Sequence, residues 1–229
     1  MASAVRGVLF DVDGTLVDHE RAVTIALASF LAAEAAAFPP HVDALWRSLG
    51  EACFGAYLRG ETTFTEQRRA RVRGLLATVG RALTNDEADE RYARYLRMYE
   101  ASWRSYPDAE QALLHLRDGY RLGIVTNGDH AQQLRKIEAV GLSGLFDAIV
   151  VSSEAGIIKP NPEVFLLACA RLRLPPRLCA YIGDRLDTDA RAASAAGLVG
   201  IWLCRSGQVC HETDITTIGS LSELVDVLS

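Results

Sequence analysis

An α/β fold is expected for this chain, with a doubly wound parallel sheet and an inserted all-helical domain. Two features of the sequence lead to this expectation. Short apolar runs alternate with segments of helical character, and the runs are bounded by Gly, Asn or Asp. Between the first two runs, residues 18–105 contain no convincing strand. This segment is too long for a simple crossover between neighbouring strands, so we expect it to fold as a separate helical insert.

Five apolar runs have the length and composition of buried parallel strands, which are covered by helices on both faces. They are Val5–Phe10, Leu122–Val125, Ala148–Val151, Cys179–Ile182 and Val199–Leu203. Four further segments have helical character. They lie near Asp108–Arg117, His130–Val140, Pro162–Leu172 and Thr188–Ala196. Because strands and helices alternate, residues 1–17 and 106–229 are predicted to form the core domain.

The insert, residues 18–105, is predicted to hold four helices. Their expected bounds are Glu20–Ala37, Val42–Arg59, Thr65–Val79 and Asp86–Trp103. The Pro39-Pro40 pair separates the first two helices. Aromatic residues at helical spacing are expected to form a core of this domain rather than to line a cleft. These residues are Trp46, Phe54, Tyr57 and Phe64.

The composition excludes several classes of protein. The 229 residues carry a formal net charge of −5, and nucleic acids are bound through basic surfaces, so we expect no nucleic-acid partner. No apolar stretch approaches the ~18 residues of a membrane span. Residues 1–7 have no apolar core of signal-peptide length, so we expect a cytoplasmic protein. We expect a monomer, with a dimer as the alternative.

The cysteines do not have the arrangement of a disulfide framework. There are five of them, and an odd, scattered set fits free thiols in a reducing compartment. Cys204, Cys210 and His211 form a cluster in the sequence. Zinc-binding cysteine pairs normally lie two to four residues apart, so we interpret this cluster as free thiols in a loop.

The basic residues are almost all arginines. Only two of the 24 are lysines, Lys136 and Lys159. Lys136 lies in a predicted helix, and we interpret it as an ordinary residue of the helix surface. Lys159 comes just before Pro160 and Pro162, which stiffen its loop and open the next helix. A solvated surface side chain is one interpretation of Lys159. The other is a compact ammonium that neutralises both an aspartate and a phosphate oxygen.

Polar residues gather after the predicted strands, where ligands of open α/β sheets bind. They are Asp11 and Asp13, Thr126 and Asn127, Lys159, and Asp184 with Asp187 and Asp189. Taken alone, Asp13-Gly14 is compatible with a turn and Thr126 with a helix cap. Two acidic clusters at one sheet edge repel each other, however, and a hard divalent cation relieves that repulsion. Carboxylate oxygens suit Mg²⁺, which therefore is the expected cofactor.

In this order, the clusters resemble the four motifs of the haloacid dehalogenase-like (HAD) hydrolase superfamily, and the match covers nearly the whole chain. The residues that carry the resemblance are Asp11-Val12-Asp13-Gly14-Thr15-Leu16, Thr126 with Asn127, Lys159, and Gly183-Asp184 through Asp189. The helical insert resembles the C1 cap of subfamily I. In that family, the core is a doubly wound sheet and the segment after the first motif couples cap movement to the active site.

The resemblance implies a magnesium-dependent phosphatase that acts on a small phosphorylated metabolite. Asp11 would be the nucleophile that forms an aspartyl-phosphate, and Asp13 the general acid and then base. Thr126, Asn127 and Lys159 would hold the phosphoryl group. The resemblance also implies a set of magnesium ligands. They are Asp11, the Asp13 carbonyl, Asp184 and Asp189, with Asp189 in or beside the inner shell.

Other chemistries of the same superfamily remain as alternatives. A phosphomutase shares all four motifs, and it would use cap residues such as Arg59, Arg68 and Arg69 to retain an intermediate; these could equally be solvated helix charges. A haloacid dehalogenase typically lacks the aspartate found here as Asp13. A phosphonatase needs a cap lysine, and residues 18–105 contain none. An inactive scaffold would have lost the nucleophile, whereas Asp11 is present.

Three further residues have open interpretations. His19 and Glu20 follow the first motif, and we interpret them as a hinge or helix start, with a contact to the leaving group as the alternative. Asp187 is expected to be a helix N-cap rather than a metal ligand, because a helical run begins at Thr188.

Overall fold

A computed structural model of the chain describes residues 5–205 and 214–228. These residues form two compact units, one made of residues 5–19, 103–205 and 214–228 and the other of residues 20–102. The strands of the first unit are β1 (Gly7–Phe10), β2 (Arg121–Thr126), β3 (Ala148–Val151), β4 (Cys179–Gly183), β5 (Val199–Leu203) and β6 (Thr216–Ile218). All six are parallel, in the order β3-β2-β1-β4-β5-β6. The predicted α/β class with a doubly wound parallel sheet is therefore confirmed.

Ten α-helices accompany these strands in the described residues. They are α1 (His19–Glu34), α2 (Val42–Leu58), α3 (Phe64–Ala77), α4 (Asn85–Ala101), α5 (Ala109–Arg117), α6 (His130–Ala139), α7 (Ser152–Ala155), α8 (Pro162–Arg171), α9 (Ala192–Ala195) and α10 (Leu224–Leu228). A π-helix at Leu186–Arg191 precedes α9, and 3₁₀ turns lie at Pro176–Leu178 and Leu221–Glu223.

The order of the sheet determines where a ligand can bind. From β1 the chain goes on to β2 and β3 on one side, whereas β4, β5 and β6 lie on the other side. The strand order therefore reverses between β1 and β4. In open α/β sheets this reversal opens a crevice at the carboxyl ends of the two strands. Phe10 and Ile182 are in register as β1 and β4 end, so the residues that follow them are neighbours.

The strands alternate their side chains between two apolar layers. Val8 and Phe10 of β1 point to one layer, with Leu113 of α5 and Leu116. Leu9 points to the opposite layer, which contains residues of β2, β4 and α8. Because both faces of the sheet are covered, β1 is apolar at every position, as is typical of a parallel strand.

The second unit is all-helical and has its own core. Trp46 is fully buried, with the ring of Phe30 stacked 6.1 Å away and the ring of Tyr95 edge-on at 4.7 Å. Phe54, Tyr57 and Phe64 are only half-buried, and their rings contact one another in sequence. Trp46 is thus a core residue of this unit, as its spacing suggests.

A buried carboxylate joins several parts of this unit. Glu34 closes α1, and its side chain is only 3% exposed. The guanidinium groups of Arg81, Arg91 and Arg94 lie 2.9, 3.4 and 3.6 Å from it. A buried acid needs such partners, since an unpaired charge is costly in the protein interior. They hold the end of α1 against α4 and the segment that precedes it.

Several expected bounds are wrong by a few residues. The first helix was expected to reach Ala37 and ends at Glu34, because Ala35 has a left-handed backbone with φ of 47°. The helix expected at Thr188–Ala196 begins as a π-helix at Leu186. Strand β6 was missed altogether. It has three residues, two of them threonines, so it carries no apolar run that a sequence pattern could detect.

Within residues 5–205 and 214–228, none of the helices combines the length and the apolar character that crossing a membrane requires.

Candidate active site

Asp11 and Asp184 lie at the carboxyl ends of β1 and β4, where the strand order reverses. Asp11 follows β1 directly, and its backbone N–H donates to the Ile182 carbonyl at 2.9 Å. This bond continues the ladder between β1 and β4 by one residue. Asp184 follows β4 in the same way. The two carboxylates therefore lie side by side because their strands are neighbours.

Lys159 joins this pair to a third aspartate. Its Nζ donates to Asp11 Oδ1 at 2.7 Å and to Asp189 Oδ1 at 2.7 Å. The Lys159 side chain is 4% exposed. The surface interpretation of Lys159 is therefore wrong, and its ammonium is a buried counter-ion of two carboxylates.

Tyr181 is a member of the site that the sequence did not single out. Its hydroxyl accepts a hydrogen bond from Lys159 Nζ at 2.8 Å and donates to the Val125 carbonyl at 2.9 Å. The ring lies in the apolar layer edge-on to Phe165. In sequence, Tyr181 is one of several apolar residues of a buried strand, and no local pattern distinguishes it from them.

The pKa values of the carboxyls reflect this crowding. Burial, opposed by Lys159, raises the pKa of Asp11 to about 6. Burial and the neighbouring charges of Asp11 and Asp189 raise the pKa of Asp184 to about 7. Burial alone would lower the pKa of Lys159, but the charges of Asp11 and Asp189 outweigh it and the pKa is raised. One ammonium therefore does not neutralise three carboxylates.

The remaining negative charge faces a small space that suits a cation. Oxygens of Asp11, Asp184 and Asp189 lie within 4.8 Å of one another. Gly14 borders this space with a φ of +85°, and a Cβ there would lie 2.3 Å from Asp184 Oδ2. Among the residues that the structure describes, none donates a hydrogen bond to the Asp184 carboxylate. A set of three carboxylates with more negative charge than one ammonium neutralises fits a hard divalent ion such as Mg²⁺.

Thr126 and Asn127 occupy the next strand end. Thr126 is the last residue of β2 and is buried, and its Oγ1 accepts from Gln133 Nε2 at 3.2 Å. The Asn127 amide binds the backbone of Lys159 twice, donating to its carbonyl at 3.0 Å and accepting from its N–H at 2.9 Å. Asn127 thus fastens the loop that carries Lys159 to the end of β2. Phosphate binding by Thr126 and Asn127 stays a prediction.

Asp13 lies in a second group of polar side chains. The Nζ of Lys136 lies 2.7 and 2.8 Å from its two carboxylate oxygens, and Gln133 Nε2 donates to Oδ2 at 2.9 Å. His19 Nδ1 is 3.5 Å from Oδ1. Burial raises the pKa of Asp13, but Lys136 and His19 outweigh it, so the pKa lies below its usual range.

The interpretation of Lys136 as a surface residue is therefore wrong. Its side chain is 2% exposed. Helix α6 is amphipathic, and the sequence pattern does not say which of its polar residues faces the sheet. Docking of α6 against the sheet turns Gln133 and Lys136, one turn apart, towards Asp13.

Residues 5–197 match the family model of the haloacid dehalogenase-like hydrolases. The chain belongs to this family. Over 217 residues it is 31% identical to the N-acylneuraminate-9-phosphatase of Homo sapiens. This match covers 90% of this chain and 86% of that protein. It is 41% identical over 103 residues to the glyceraldehyde 3-phosphate phosphatase of Methanopyrus kandleri, a match that covers 44% of each protein.

Among solved structures, the HAD-hydrolase YfnB from Bacillus subtilis, bound to magnesium, has a similar fold. Its TM-score is 0.82 at 26% identity, over 98% of this chain and 99% of that chain. The family resemblance that the four motifs indicate is therefore confirmed, and the chain is a HAD-like hydrolase.

Three other candidate residues of this HAD-like hydrolase have defined surroundings. His19 is the first residue of α1, which supports its interpretation as a helix start, and it also approaches Asp13. Glu20 pairs with Arg47 at 3.0 Å. The expectation that Asp187 caps a helix is wrong. It lies inside the π-helix, 82% exposed, and pairs with Arg191 at 2.8 Å.

The three arginines weighed for a phosphomutase have partners within the helical unit. Arg59 is exposed and pairs with Glu61 at 2.6 Å. Arg69 pairs with Asp89 and Glu66. The guanidinium of Arg68 lies 4.1 Å from the centre of the Phe64 ring. Their contacts are those of structural helix residues.

The cysteines agree with the expectation of free thiols as far as the structure describes them. Cys53, Cys169, Cys179 and Cys204 form no disulfide. Cys210 and His211, the other members of the cluster weighed as a zinc site, lie outside the described residues.

Proposed function

We propose that this HAD-like hydrolase is a magnesium-dependent phosphatase that hydrolyses a small phosphorylated metabolite through an aspartyl-phosphate on Asp11. One observation carries the proposal. Lys159 Nζ lies 2.7 Å from Asp11 Oδ1 in a buried site that also contains Asp184 and Asp189. A nucleophilic carboxylate beside a fixed ammonium and a cation site is the arrangement that phosphoryl transfer requires.

In the first step, a carboxylate oxygen of Asp11 bonds to phosphorus as the bond from phosphorus to the leaving oxygen breaks. Lys136 and His19 keep Asp13 as a carboxylate before the substrate binds, so Asp13 takes up a proton from solvent as the anionic ester arrives and gives it to the leaving oxygen. In the second step, water attacks the phosphorus and gives a proton to Asp13, and the bond to Asp11 breaks. Inorganic phosphate leaves, Asp13 releases that proton to solvent, and Asp11 and Asp13 return to their starting states as carboxylates.

Lys159 and Thr126 hold the transferring group in this proposal. The Lys159 ammonium neutralises charge on a phosphoryl oxygen while it stays bonded to Asp189. The Thr126 hydroxyl, fixed by Gln133, donates to a second oxygen. Asn127 holds Lys159 in place, because its amide is bonded to the Lys159 backbone. Positioned charges of this kind supply most of the stabilisation in phosphoryl transfer.

The residues that would hold Mg²⁺ are Asp11, the Asp13 carbonyl and Asp184, with Asp189 beside them. Both oxygens of Asp189 already have partners, Oδ1 with Lys159 and Oδ2 with the Arg185 N–H at 3.0 Å. This favours a position for Asp189 next to the ion rather than in direct contact. When bound, Mg²⁺ would neutralise the carboxylates and the phosphate oxygens and so let them come together.

The relatives favour a phosphatase over the other chemistries of the family. The human relative that matches 90% of this chain is named as a phosphatase, and so is the archaeal one. Arg59 and Arg69 already pair with acids of their own unit, which weakens the case for a phosphomutase. The substrate is a small phosphorylated metabolite, and sugar and sugar-acid phosphates are the first to screen.

Turnover of para-nitrophenyl phosphate, with and without Mg²⁺, tests the proposal. The wild-type protein should release inorganic phosphate only with the metal, and Asp11→Asn should be inactive because an amide does not attack phosphorus. Asp187→Asn is the matched control, since Asp187 is exposed and pairs only with Arg191 among the described residues. No turnover with Mg²⁺, or full activity in Asp11→Asn, would contradict the proposal. Phosphorus NMR of the product distinguishes a mutase, which returns an isomeric ester.

A further inference from the structure

Both lysines of the chain end at the carboxylates that follow β1. Lys159 reaches Asp11, and Lys136 reaches Asp13. The proposed reaction gives a part to Lys159 and none to Lys136. Yet the Lys136 ammonium is buried, and it lies within 2.8 Å of both oxygens of the group that would move the proton.

Gln133 makes a second contact to the same carboxylate. Its Nε2 donates to Asp13 Oδ2 at 2.9 Å and lies 3.2 Å from Thr126 Oγ1. Gln133 is 3% exposed. Residues three apart on a helix share a face, so Gln133 and Lys136 approach Asp13 from one side. The amide of Gln133 therefore connects the predicted proton donor with the predicted phosphate ligand.

Helix α6 gives these two side chains a rigid base. Its first turn is capped by Asp129, whose Oδ1 accepts from the Gln132 N–H at 2.9 Å. Ile137, next to Lys136, packs in the apolar layer of the sheet. The Lys136 ammonium also lies 5.4 Å from the centre of the Trp103 ring, a favourable place for a cation. Gln133 and Lys136 are thus held at the backbone by the packed helix and at the tip of the side chain by Asp13.

We propose that Lys136 and Gln133 are positioning residues that hold the Asp13 carboxyl in the orientation needed for proton transfer. The inference rests on the proposed function, because it assumes that Asp13 is the general acid and base. The Lys136 ammonium contacts the carboxylate of Asp13, whereas the proposed metal ligand of Asp13 is its backbone carbonyl, so Lys136 acts through the Asp13 side chain. A small displacement of a catalytic group can cost roughly 100-fold in rate.

The dependence on the leaving group separates positioning from a merely structural role. Para-nitrophenol departs readily without a proton, whereas phenol needs one. The constant kcat/KM covers the steps up to departure of the leaving group. Lys136→Met should therefore lower kcat/KM roughly 10- to 100-fold for phenyl phosphate and much less for para-nitrophenyl phosphate. A general loss of structure would lower both equally.

A double-mutant cycle gives the second readout. In an Asp13→Asn background the group that Lys136 positions is absent, so Lys136→Met should change kcat/KM less than about twofold there. Gln133→Met is the second single variant. It removes no charge, so it tests the inference even if Lys136→Met does not fold. Arg135→Met is the matched control, because it removes a cation from the exposed side of the same helix.

The outcomes separate the inference from the proposed function. The inference holds if Lys136→Met lowers kcat/KM much more for phenyl phosphate than for para-nitrophenyl phosphate, and Arg135→Met does not. If Lys136→Met does not fold, the same result with Gln133→Met supports it. Equal losses on both substrates, or an unchanged effect in the Asp13→Asn background, would overturn it. If Asp13→Asn itself fails to discriminate, the assignment of Asp13 as general acid is wrong. An inactive wild-type protein would contradict the proposed function directly.

Discussion

The hydroxyl of Tyr181 lies 2.8 Å from Lys159 Nζ and completes a set of three oxygens around that ammonium. The other two belong to Asp11 and Asp189. Tyr181 in turn donates to the Val125 carbonyl of β2. Tyr181, in the middle of β4, thus orients the Lys159 ammonium. Its ring lies in the apolar layer of the sheet.

Removal of this hydroxyl should loosen Lys159. Tyr181→Phe leaves the Lys159 ammonium with two oxygens and removes the hydroxyl's bond to the Val125 carbonyl, so it should lower the free energy of unfolding by about 1–3 kcal/mol. We expect kcat to fall as well, because Lys159 is less well oriented. Urea denaturation and steady-state kinetics measure the two effects.

Tyr120→Phe is the control for this change. Its hydroxyl also donates to a backbone carbonyl, that of Leu228 at 3.3 Å, but away from the site. This control should change stability slightly and kcat not at all. Equal kcat values for Tyr181→Phe and the wild-type protein would show that Lys159 does not depend on the hydroxyl.

An arginine should not replace Lys159. The buried Lys159 side chain ends in a compact charge, and its Nζ lies 2.7–2.8 Å from oxygens of Asp11, Tyr181 and Asp189. The planar, larger guanidinium spreads its donors in a fixed fork and does not fit this arrangement. Lys159→Arg should lower kcat by roughly 10²- to 10³-fold, on the scale of a lost oxyanion contact. A kcat within threefold of the wild-type value would contradict the point-charge role.

A methyl group at Gly14 should disturb the cation site. Gly14 has a φ of +85°, and its Cβ would lie 2.3 Å from Asp184 Oδ2, so Gly14→Ala must displace that carboxylate. We expect both activity and stabilisation by Mg²⁺ to be lost. Gly141→Ala is the matched control, because Gly141 has a similar φ of +76° but no atom within 4 Å of a new Cβ. It should cost stability and leave activity intact.

The stability of the protein should depend on pH and metal together. The raised pKa values of Asp11, about 6, and Asp184, about 7, mean that the metal-free folded protein binds more protons than the unfolded chain between roughly pH 4 and 7. Their contribution to the free energy of unfolding is therefore largest at low pH and decreases as the pH rises through these values.

Magnesium reverses this trend, because it binds the deprotonated carboxylates. The rise in Tm on addition of Mg²⁺ should be larger near pH 8 than near pH 5. Thermal unfolding at both pH values measures it. Asp184→Asn, which removes a ligand, should show little rise at either pH. An equal rise at both pH values in the wild-type protein would mean that these carboxyls do not bind the ion.

The sequence alone determined the α/β class, five of the six strands and the places where polar residues follow them. Such features are local, since a buried parallel strand is a short apolar run and the next residue lies at the sheet edge. Asp11, Lys159, Asp184 and Asp189 could therefore be singled out without a structure. Asp11 and Asp184 meet because β1 and β4 are neighbours. Lys159 reaches them from a loop after β3 that Asn127 holds at the end of β2.

Only the tertiary structure decided the parts played by Lys136, Gln133 and Tyr181. Tyr181 lies in β4, a strand that is buried on both faces. Its neighbours in the sequence are those of an ordinary core residue, so the sequence does not single it out. Lys136 lies on a helix with several polar residues, and the rotation of α6 against the sheet selects Lys136 and Gln133 to face Asp13. That rotation is set by packing between elements distant in sequence, and no local pattern contains it.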